Sequence, residues 1–486
     1  MQTAQRRPWK NWAENQSSTP ELSFWPESLD DIVEIIRIAE SSAKRVRAVG
    51  SGHSWSDVAK TDDYLVYPQH LTRILDIEAY LLRDDPPIPK RYLMHVESGI
   101  TIRALNLALD ERGLAFINLG GYDGQTICGV TSTSTHGSGI SFYPLCDFIK
   151  SMEIVSCGGK VFRIEPSPAS GFTLTNAAEY AVAFPNRETH ELIQDDDWFY
   201  AAMVNMGCMG VIYSVVIEVR EAFLLKETRI ASTWTDVKQQ LANGAIYDKE
   251  DHYELLLNPY AINGENRCLV NTRTETTVPG NRERSIYIKY KAALDVSAWW
   301  VKLLSVVWPS KIRRTLNGAI DALRDDDYTD KSFNVFHIGD ANEIRVISAE
   351  YAIPVENDTW IAAIDRLIHV AESVARETRL YLTVPVAVRF VKGTRALLSP
   401  MHGRDTCMLE VMGLRDVKDT EYILRLIEDA LHAHAVRPHW GQVNHITPDQ
   451  VKLMYHESFD RWKAVHDSLN SSRTFSSPFT QRVGIE

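Results

Sequence analysis

The sequence predicts an α+β protein of two domains, with a change of character near residue 220. A chain of 486 residues is longer than one hydrophobic core usually organises, so two domains are expected. Helix and strand signals alternate up to residue 220. They are less legible from there to about residue 334, and clear periodic segments return beyond that point.

The elements up to residue 220 can be placed one after another. Ser28 is a typical helix cap, and apolar residues then recur on one helical face. Arg45–Val49 alternates as a short strand should, and a second helix is expected to begin after Thr101 and to end at Gly113. Val211–Val219 is β-branched and mostly apolar, which favours a buried strand.

A second series of elements follows residue 334, whereas the stretch before it offers only strand-like pieces such as Ile286–Tyr290. The patterns predict strands at Glu343–Tyr351, Tyr381–Phe390 and Cys407–Met412, and helices at Thr359–Thr378 and Thr420–His434. Thr447-Pro-Asp-Gln450 is a capping box with proline at the first helical position, so a final helix is expected to start there.

Composition limits the partners and the compartment. The formal charge of -12 argues against a nucleic acid or an anionic membrane, because phosphates recruit basic surfaces. The six cysteines lie far apart and include no Cys-x-x-Cys pair. We therefore expect buried apolar thiols in a reducing, cytoplasmic compartment rather than a disulfide framework or a zinc ribbon.

No run of about 18 uncharged apolar residues occurs, so no membrane-spanning helix is expected. The tryptophan-rich segment Val296–Trp308 allows two interpretations. A helix packed against the second domain is favoured, because large exposed apolar patches are rare. The alternative is peripheral contact with a membrane interface near Trp299, Trp300 and Trp308.

Two glycine-rich turns are candidates for holding a phosphate: Val49-Gly-Ser-Gly-His-Ser-Trp-Ser-Asp57 and the run from Gly120 to Gly139. Glycines let backbone N–H groups converge on a pyrophosphate without an intervening Cβ. Neither turn is the usual dinucleotide fingerprint, since Trp55 takes the place of the third glycine, and neither is a P-loop. Taken singly, both are equally typical of structural loops.

The histidines also have competing interpretations. A histidine in a glycine-rich turn, such as His53, is usually a surface or hydrogen-bonded residue. His432, His434, His439 and His445 have spacings that a metal site could use, but the first two are two residues apart on a predicted helix and do not share a face. A closed metal site needs three or four converging ligands, so no metal is predicted.

Together, the two turns resemble the vanillyl-alcohol-oxidase-type FAD-binding proteins. The closer similarity is to the sugar-1,4-lactone oxidase branch (gulonolactone, galactonolactone and arabinonolactone oxidases), with alditol oxidases as relatives. Further similar motifs follow in the same order: Glu343-Ile-Arg345, Tyr351-Ala-Ile-Pro354, Val388-Arg-Phe390, Leu398-Ser-Pro400, Arg404-Asp-Thr-Cys407 and Arg437-Pro-His-Trp-Gly441.

The resemblance implies a two-subdomain FAD-binding domain at 1–220, an α+β substrate (cap) domain with an antiparallel sheet at 221–446, and a segment at 447–486 that returns to the FAD domain. It implies that His53 is bonded covalently to the flavin 8α-methyl carbon, whereas some relatives carry leucine there and bind FAD non-covalently. The other implied cofactor residues are Gly50, Ser51, Gly52, Ser54, Gln125, Thr126, Gly129, Ser132, Thr133, His136, Gly137, Gly207, Gly210, Val211 and Ile212.

The resemblance also implies catalytic residues. Glu343 and Arg345 are two apart in a predicted strand, so their side chains should share a face. The carboxylate would accept a hydroxyl proton, and the guanidinium would stabilise an oxygen or the reduced flavin. A surface ion pair is the alternative. His439 and Gln442 complete the implied set.

Two positions depart from the family pattern. Gln442 stands where the family usually has lysine, near the flavin edge that becomes negative on reduction, and an amide brings no charge. Ala387 stands where the lactone oxidases often show glutamate before Val-Arg-Phe. Both changes affect the expected substrate more than the expected cofactor.

The predicted function is therefore FAD-dependent oxidation of a CH–OH group in a sugar-1,4-lactone or a related polyol. Hydride would pass to flavin N5, and O2 would reoxidise the flavin and give H2O2. The alternatives are a dehydrogenase that uses a quinone or cytochrome acceptor, an oxidase of a secondary-metabolite alcohol, and a flavin-binding protein without catalysis.

Overall fold

A computed structural model describes residues 1–77, 82–242, 252–280, 298–337 and 344–486. Its helices are Leu29–Ser41, Ile102–Asp110, Ile127–Ser132, Ala177–Ala183, Asp196–Ala202, Trp234–Ala242, 298–307, Ile312–Ala322, Ser332–Phe336, Thr359–Thr378, Thr420–Leu431, Pro448–Tyr455, Glu457–Leu469 and Pro478–Val483. The predicted strand at Ile286–Tyr290 lies outside the described residues.

Two sheets form the N-terminal half. The four-stranded sheet has the order Gln2–Gln5, Leu22–Trp25, Tyr64–Val66 and Val46–Ala48. The six-stranded sheet has the order His190–Gln194, Lys160–Glu165, Ile149–Ser156, Val211–Glu218, Leu93–Glu97 and Ile74–Leu75. Short strand pairs, Trp9–Lys10 with Ser17–Ser18 and Leu114–Ala115 with Arg220–Glu221, complete this half.

One eight-stranded antiparallel sheet, here called the cap sheet, organises the second half. Its order is Asp325–Lys331, Leu224–Thr233, Arg267–Thr276, His252–Leu257, Val386–Val391, Thr406–Leu414, Val346–Pro354 and Arg437–Pro438. Helices Thr359–Thr378 and Thr420–Leu431 cover one face of this sheet with a continuous apolar core. Antiparallel sheets with helices on one side make the chain α+β, as the sequence predicts.

Most elements that have a cap or a clear period begin where the sequence predicts. The Ser28 hydroxyl accepts a hydrogen bond from the N–H of Asp31, and the capping box at Thr447 is formed. Helix Thr359–Thr378 has the predicted bounds. The strand predicted at Glu343–Tyr351 is displaced instead, to Val346–Pro354.

The C-terminal segment contacts the N-terminal half at several points. Trp462 is fully buried, and its Nε1 donates to the carbonyl of Val204 at 3.1 Å. Arg482 forms an ion pair with Asp57 at 2.7 Å. The division of the chain at residues 220 and 446 itself stays a prediction.

The tryptophan-rich helix has one buried side and one exposed side. Val301 is buried in the core of the cap sheet, whereas Trp299, Trp300 and Trp308 are mostly exposed. None of the described helices combines the length and the apolar character that crossing a bilayer requires. Five cysteines are buried free thiols, and Cys157 is partly exposed.

Candidate active site

A cavity lies in the N-terminal half of the molecule. Its walls include the turn Val49–Ser54, the start of helix Ile127–Ser132 and the residues 205–212 that lead into the strand Val211–Glu218. Small-molecule and cofactor sites are typically concave pockets of this kind, lined by a few polar groups.

The cavity brings together most of the residues predicted to bind a cofactor. Those that line it are Gly50, Ser51, Gly52, His53, Ser54, Gln125, Thr126, Gly129, Ser132, Thr133, Gly207, Gly210, Val211 and Ile212. His136 and Gly137 lie outside this lining. His136 faces Glu350 of the cap sheet, and a side chain at Gly137 would meet Asn118.

The glycines of the cavity wall have backbone reasons to be glycine. Gly52, Gly207 and Gly210 have φ values of 67°, 70° and 141°, which side chains strongly disfavour. At Gly50 an added Cβ would lie 2.3 Å from Thr126 Oγ1. The wall therefore exposes backbone to the cavity at these positions, as close contact with a phosphate requires.

Arg47 is buried and stabilises this cavity wall through hydrogen bonds. It is not among the site residues predicted from the sequence. The Arg47 guanidinium donates to the carbonyls of Gly207 at 2.9 Å, Met206 at 2.6 Å and Phe475 at 3.3 Å, and also to that of Val58. These acceptors come from three distant parts of the chain. Position 47 is one of the alternating residues of a short strand, and nothing local in the sequence marks it.

His53 projects from the turn into a mainly aromatic environment. Its ring stacks on Tyr122 at a centroid distance of 4.3 Å and lies 4.6 Å from the ring of Trp12. Its Nδ1 atom is buried and has no hydrogen-bond partner among the described residues. Burial lowers the pKa of His53 to about 4, so the imidazole is neutral at pH 7.

These features fit FAD. A buried ring nitrogen without a partner is unfavourable unless a bound group uses it, and His53 lines the same cavity as the glycines. The glycine backbone and the hydroxyl of Ser132 supply donors that a pyrophosphate needs, whereas the hydroxyls of Ser51 and Thr133 donate to the carbonyls of Gly124 and Gly129.

A network of buried ionic side chains covers the other face of the cap sheet. Arg389 contacts three carboxylates: Glu254 at 2.8 Å, Glu410 at 2.8 Å and Glu350 at 3.7 Å. Arg273 extends the network by binding both Glu254 and Glu227. Burial alone would raise the pKa of Glu254, but Arg389 and Arg273 lower it to about 2.

Strand register explains why these residues meet. Glu410 pairs with Glu350 on one neighbouring strand and with Ala387 on the other. Arg389 pairs with Glu254 one strand further along. Side chains two residues apart on a strand share a face, so all these groups project from the same side of the sheet.

His136 connects this network to the N-terminal half. Its Nδ1 lies 2.8 Å from the carbonyl of Gly137, which can only accept a hydrogen bond, so this nitrogen carries a proton. Its Nε2 lies 3.2 Å from Glu350, and a proton must lie between them as well. Attraction to His136 lowers the pKa of Glu350 against the effect of burial. The two side chains therefore form a close buried pair that joins the two halves.

The turn His439–Gln442 packs directly on the turn that bears His53. The carbonyl of Gly441 accepts a hydrogen bond from the N–H of Trp55 at 2.7 Å, and the carbonyl of Trp440 accepts one from Ser56 Oγ at 2.6 Å. The strands of the cap sheet therefore end beside the cavity wall, where residues of the two halves meet.

His439 and Gln442 have different surroundings. The lone pair of His439 Nδ1 accepts from the N–H of Gly441 at 3.1 Å, and burial lowers the pKa of this ring to about 4. His439 is thus neutral and holds the turn. Gln442 Nε2 lies 3.4 Å from Glu410 Oε1, so its side chain reaches the ionic network.

We predicted that Glu343 and Arg345 lie on one strand with their side chains on the same face. This prediction is wrong for Arg345, which lies before the strand begins. Glu343 lies outside the described residues. Arg345 precedes the strand Val346–Pro354, is 45% exposed and forms an ion pair with Glu14. The displaced strand start moves Arg345 off the sheet face, and Glu350 and Arg389 stand on that face instead.

The other C-terminal histidines lie apart. His445 binds Glu428, and His432 lies 3.2 Å from Gln450. One signal in the sequence points to the ionic network: charged residues stand singly inside otherwise apolar strands, as Glu410 does between Leu409 and Val411. Such charges are buried only when they are paired.

Two family models match the chain. An FAD binding domain matches residues 20–165, and the D-arabinono-1,4-lactone oxidase model matches residues 215–483. The chain is 29% identical to the L-gulono-1,4-lactone dehydrogenase of Mycobacterium tuberculosis over 98% of both chains. It is 26% identical to the L-gulonolactone oxidase of Bos taurus, over 98% of this chain and 97% of that one.

Solved structures share the fold at low sequence identity. A cholesterol oxidase from B. sterolicum matches with a TM-score of 0.75 at 14% identity, over 99% of this chain and 97% of that one. A xylooligosaccharide oxidase from Myceliophthora thermophila matches with a TM-score of 0.64 at 13% identity, over 97% and 93%. The family matches confirm the resemblance found in the motifs: the chain belongs to the D-arabinono-1,4-lactone oxidase family and carries an FAD-binding domain.

Proposed function

We propose that this enzyme oxidises a CH–OH group of a sugar-1,4-lactone or related polyol, with FAD held covalently by His53 and O2 as the acceptor. The observation that carries the proposal is the position of the ionic network. The turn His439–Gln442, which reaches this network through Gln442, is hydrogen-bonded to the turn of His53, so polar side chains of the cap sheet lie beside the turn that would hold the cofactor.

The bound flavin would accept the hydride from the substrate carbon. The protein's part is to hold the substrate and to stabilise charge. Arg389 is fixed by Glu254 and Glu410, so its guanidinium has a set position from which it can bind a substrate oxygen. His136 contacts Glu350 at 3.2 Å and so links the network to the N-terminal half.

An anaerobic reduction experiment tests the proposal. The purified enzyme is mixed with L-gulono-1,4-lactone, D-arabinono-1,4-lactone, alditols and simple alcohols, and the visible absorbance of oxidised flavin is followed. We expect loss of this absorbance with at least one lactone or polyol and not with the simple alcohols. An enzyme whose flavin stays oxidised with the whole panel would contradict the assignment.

A dehydrogenase reaction is the second candidate, because a relative that covers 98% of this chain is an L-gulono-1,4-lactone dehydrogenase. The two candidates differ in how the reduced flavin is reoxidised. Steady-state turnover with O2 as the sole acceptor, measured as H2O2 formed per lactone oxidised, supports the oxidase. Turnover that requires an added quinone or cytochrome supports the dehydrogenase.

We also propose that the exposed side of helix 298–307 lies against a lipid bilayer. Trp299, Trp300 and Trp308 are 59%, 49% and 62% exposed, and Lys311 and Arg314 follow on exposed positions. Tryptophan prefers the membrane interface, and basic residues interact with lipid headgroups. The cytoplasmic location expected from the cysteines stays a prediction.

A further inference from the structure

We infer that Gln442 selects the substrate by accepting a hydrogen bond from one of its hydroxyl groups, and that Glu410 is the positioning residue that orients it. This inference rests on the proposed function, since it requires a hydroxylated substrate beside the cofactor turn. The family's usual lysine at this position can only donate hydrogen bonds. Gln442 would instead accept one from a donor group on the ligand.

An unpaired atom is the first observation. Gln442 is 7% exposed, and its Oε1 is buried without a hydrogen-bond partner among the described residues. Buried amide oxygens nearly always have a donor, and leaving one unpaired is costly. The site therefore lacks a donor that a bound molecule can supply.

The orientation of the amide is set by Glu410. A carboxylate can only accept, so the amide nitrogen of Gln442 must face Glu410 Oε1, at 3.4 Å, and its oxygen must face away. Glu410 is itself fixed, because Oε2 accepts from Arg389 at 2.8 Å and Oε1 accepts from Ser348 at 3.0 Å. A reversed amide would place two acceptors against each other.

The neighbours of Gln442 are small residues that lie beside the cavity wall. Ala387 is the strand neighbour of Glu410 on one side, and it offers only a methyl group where a longer side chain would compete for Gln442. Gly441, next to Gln442, lies close to Ser54 of the cavity wall, since an added Cβ there would be 3.3 Å from Ser54 Oγ. The unpaired oxygen is therefore in the region where the cap sheet meets the cofactor cavity.

Chemistry narrows the ligand group. An amide oxygen accepts one or two hydrogen bonds, whereas an ammonium group only donates. A hydroxyl on the substrate provides the missing donor, and so could an N–H of the flavin. Substrates that lack the hydroxyl would leave the acceptor unpaired, and sites of this kind reject such analogues strongly.

The experiment uses the holoenzyme, the best lactone or polyol from the anaerobic panel and its monodeoxy analogues. In the wild type we expect one deoxy analogue to lose about tenfold or more in kcat/KM, the factor that corresponds to one hydrogen bond. Gln442→Met keeps the length of the side chain and removes the acceptor. It should lose a similar factor on the parent substrate and nothing further on that analogue.

Two more variants sharpen the test. Glu410→Gln should weaken the same discrimination while flavin binding is retained, because the amide of Gln442 is then free to turn over. Gln481→Met, at an exposed position of the C-terminal helix, is the matched control and should behave as the wild type.

Two results would contradict the inference about Gln442. The inference is overturned if Gln442→Met has the same ratio of kcat/KM between the parent substrate and the deoxy analogue as the wild type. A change in the absorbance spectrum of the substrate-free flavin with discrimination intact also overturns it, because the donor is then the flavin. Failure of the proposed function looks different: the wild-type flavin itself is not reduced by any lactone or polyol.

Discussion

The imidazole of His53 has the properties that covalent attachment of the flavin requires. It is buried against Tyr122 and Trp12, it is neutral, and its Nδ1 has no described partner. A neutral nitrogen with a free lone pair is what bonding to the flavin 8α-methyl carbon requires. We expect acid-precipitated wild-type protein to form a yellow pellet and His53→Ala to form a colourless pellet under a yellow supernatant. A colourless wild-type pellet would show that the attachment is non-covalent.

Arg389 is the residue whose geometry matters most on the cap sheet. Arg389→Lys keeps the charge but loses the planar fork that binds Glu254 and Glu410 together. We expect flavin reduction by substrate to slow by about 100-fold, the effect typical of losing one fixed donor to a reacting oxygen. Arg395→Lys is the control, since Arg395 pairs with Asp196 on the surface. Equal rates in the two variants would remove Arg389 from the site.

At the scale of elements, the cap sheet is stabilised by its ionic network in a pH-dependent way. The pKa of Glu254 falls from 4.5 to about 2 in the folded protein, so its contribution is complete above pH 4.5 and is lost as the pH falls towards 2. Glu254→Gln should be less stable at pH 7 by about 3–5 kcal/mol, because Arg389 and Arg273 lose a buried partner. The gap in unfolding midpoint between the two proteins should narrow below pH 4.5. A gap that is constant with pH would contradict the assignment.

Helix 298–307 provides a test of the proposed membrane contact. We expect the wild type to sediment with phosphatidylcholine vesicles. The double variant Trp300→Ser/Trp308→Ser should lose this binding by about tenfold or more, since exposed tryptophans anchor interfacial helices. Tyr422→Ser, which removes another exposed aromatic ring, is the control. Binding that is equal in all three proteins, or self-association without vesicles, would contradict the proposal.

At the scale of the whole molecule, the parts that could be predicted are the local ones. Helix Thr359–Thr378, the cap at Ser28 and the glycine turn around His53 depend on residues close in sequence, and the structure has them as predicted. Motifs that follow in the same order as in the family likewise sufficed to predict the family, which the family matches confirm.

The parts that could not be predicted depend on pairing across long sequence distances. Glu254 and Arg389 meet because strands more than a hundred residues apart align in one register, which no local pattern specifies. The prediction for Arg345 failed for the same reason. Its motif suggested a strand, but strand pairing begins only at Val346, which pairs with Leu414. The tertiary position of His136 was equally hidden, because its partner Glu350 belongs to the other half of the chain.

The C-terminal segment packs on the N-terminal half, and a substitution of Trp462 tests whether it stabilises that half. Its indole is fully buried and donates to Val204, next to the cavity wall at Asn205. Trp462→Ala should lower the free energy of unfolding by about 3–5 kcal/mol. Trp300→Ala, at an exposed position, should change it by about 0.5 kcal/mol or less. Hydrogen exchange would locate the effect, and we expect faster exchange in the strands of the N-terminal half as well as in 447–486. Faster exchange confined to 447–486 would mean that this segment only rests on the N-terminal half and does not stabilise it.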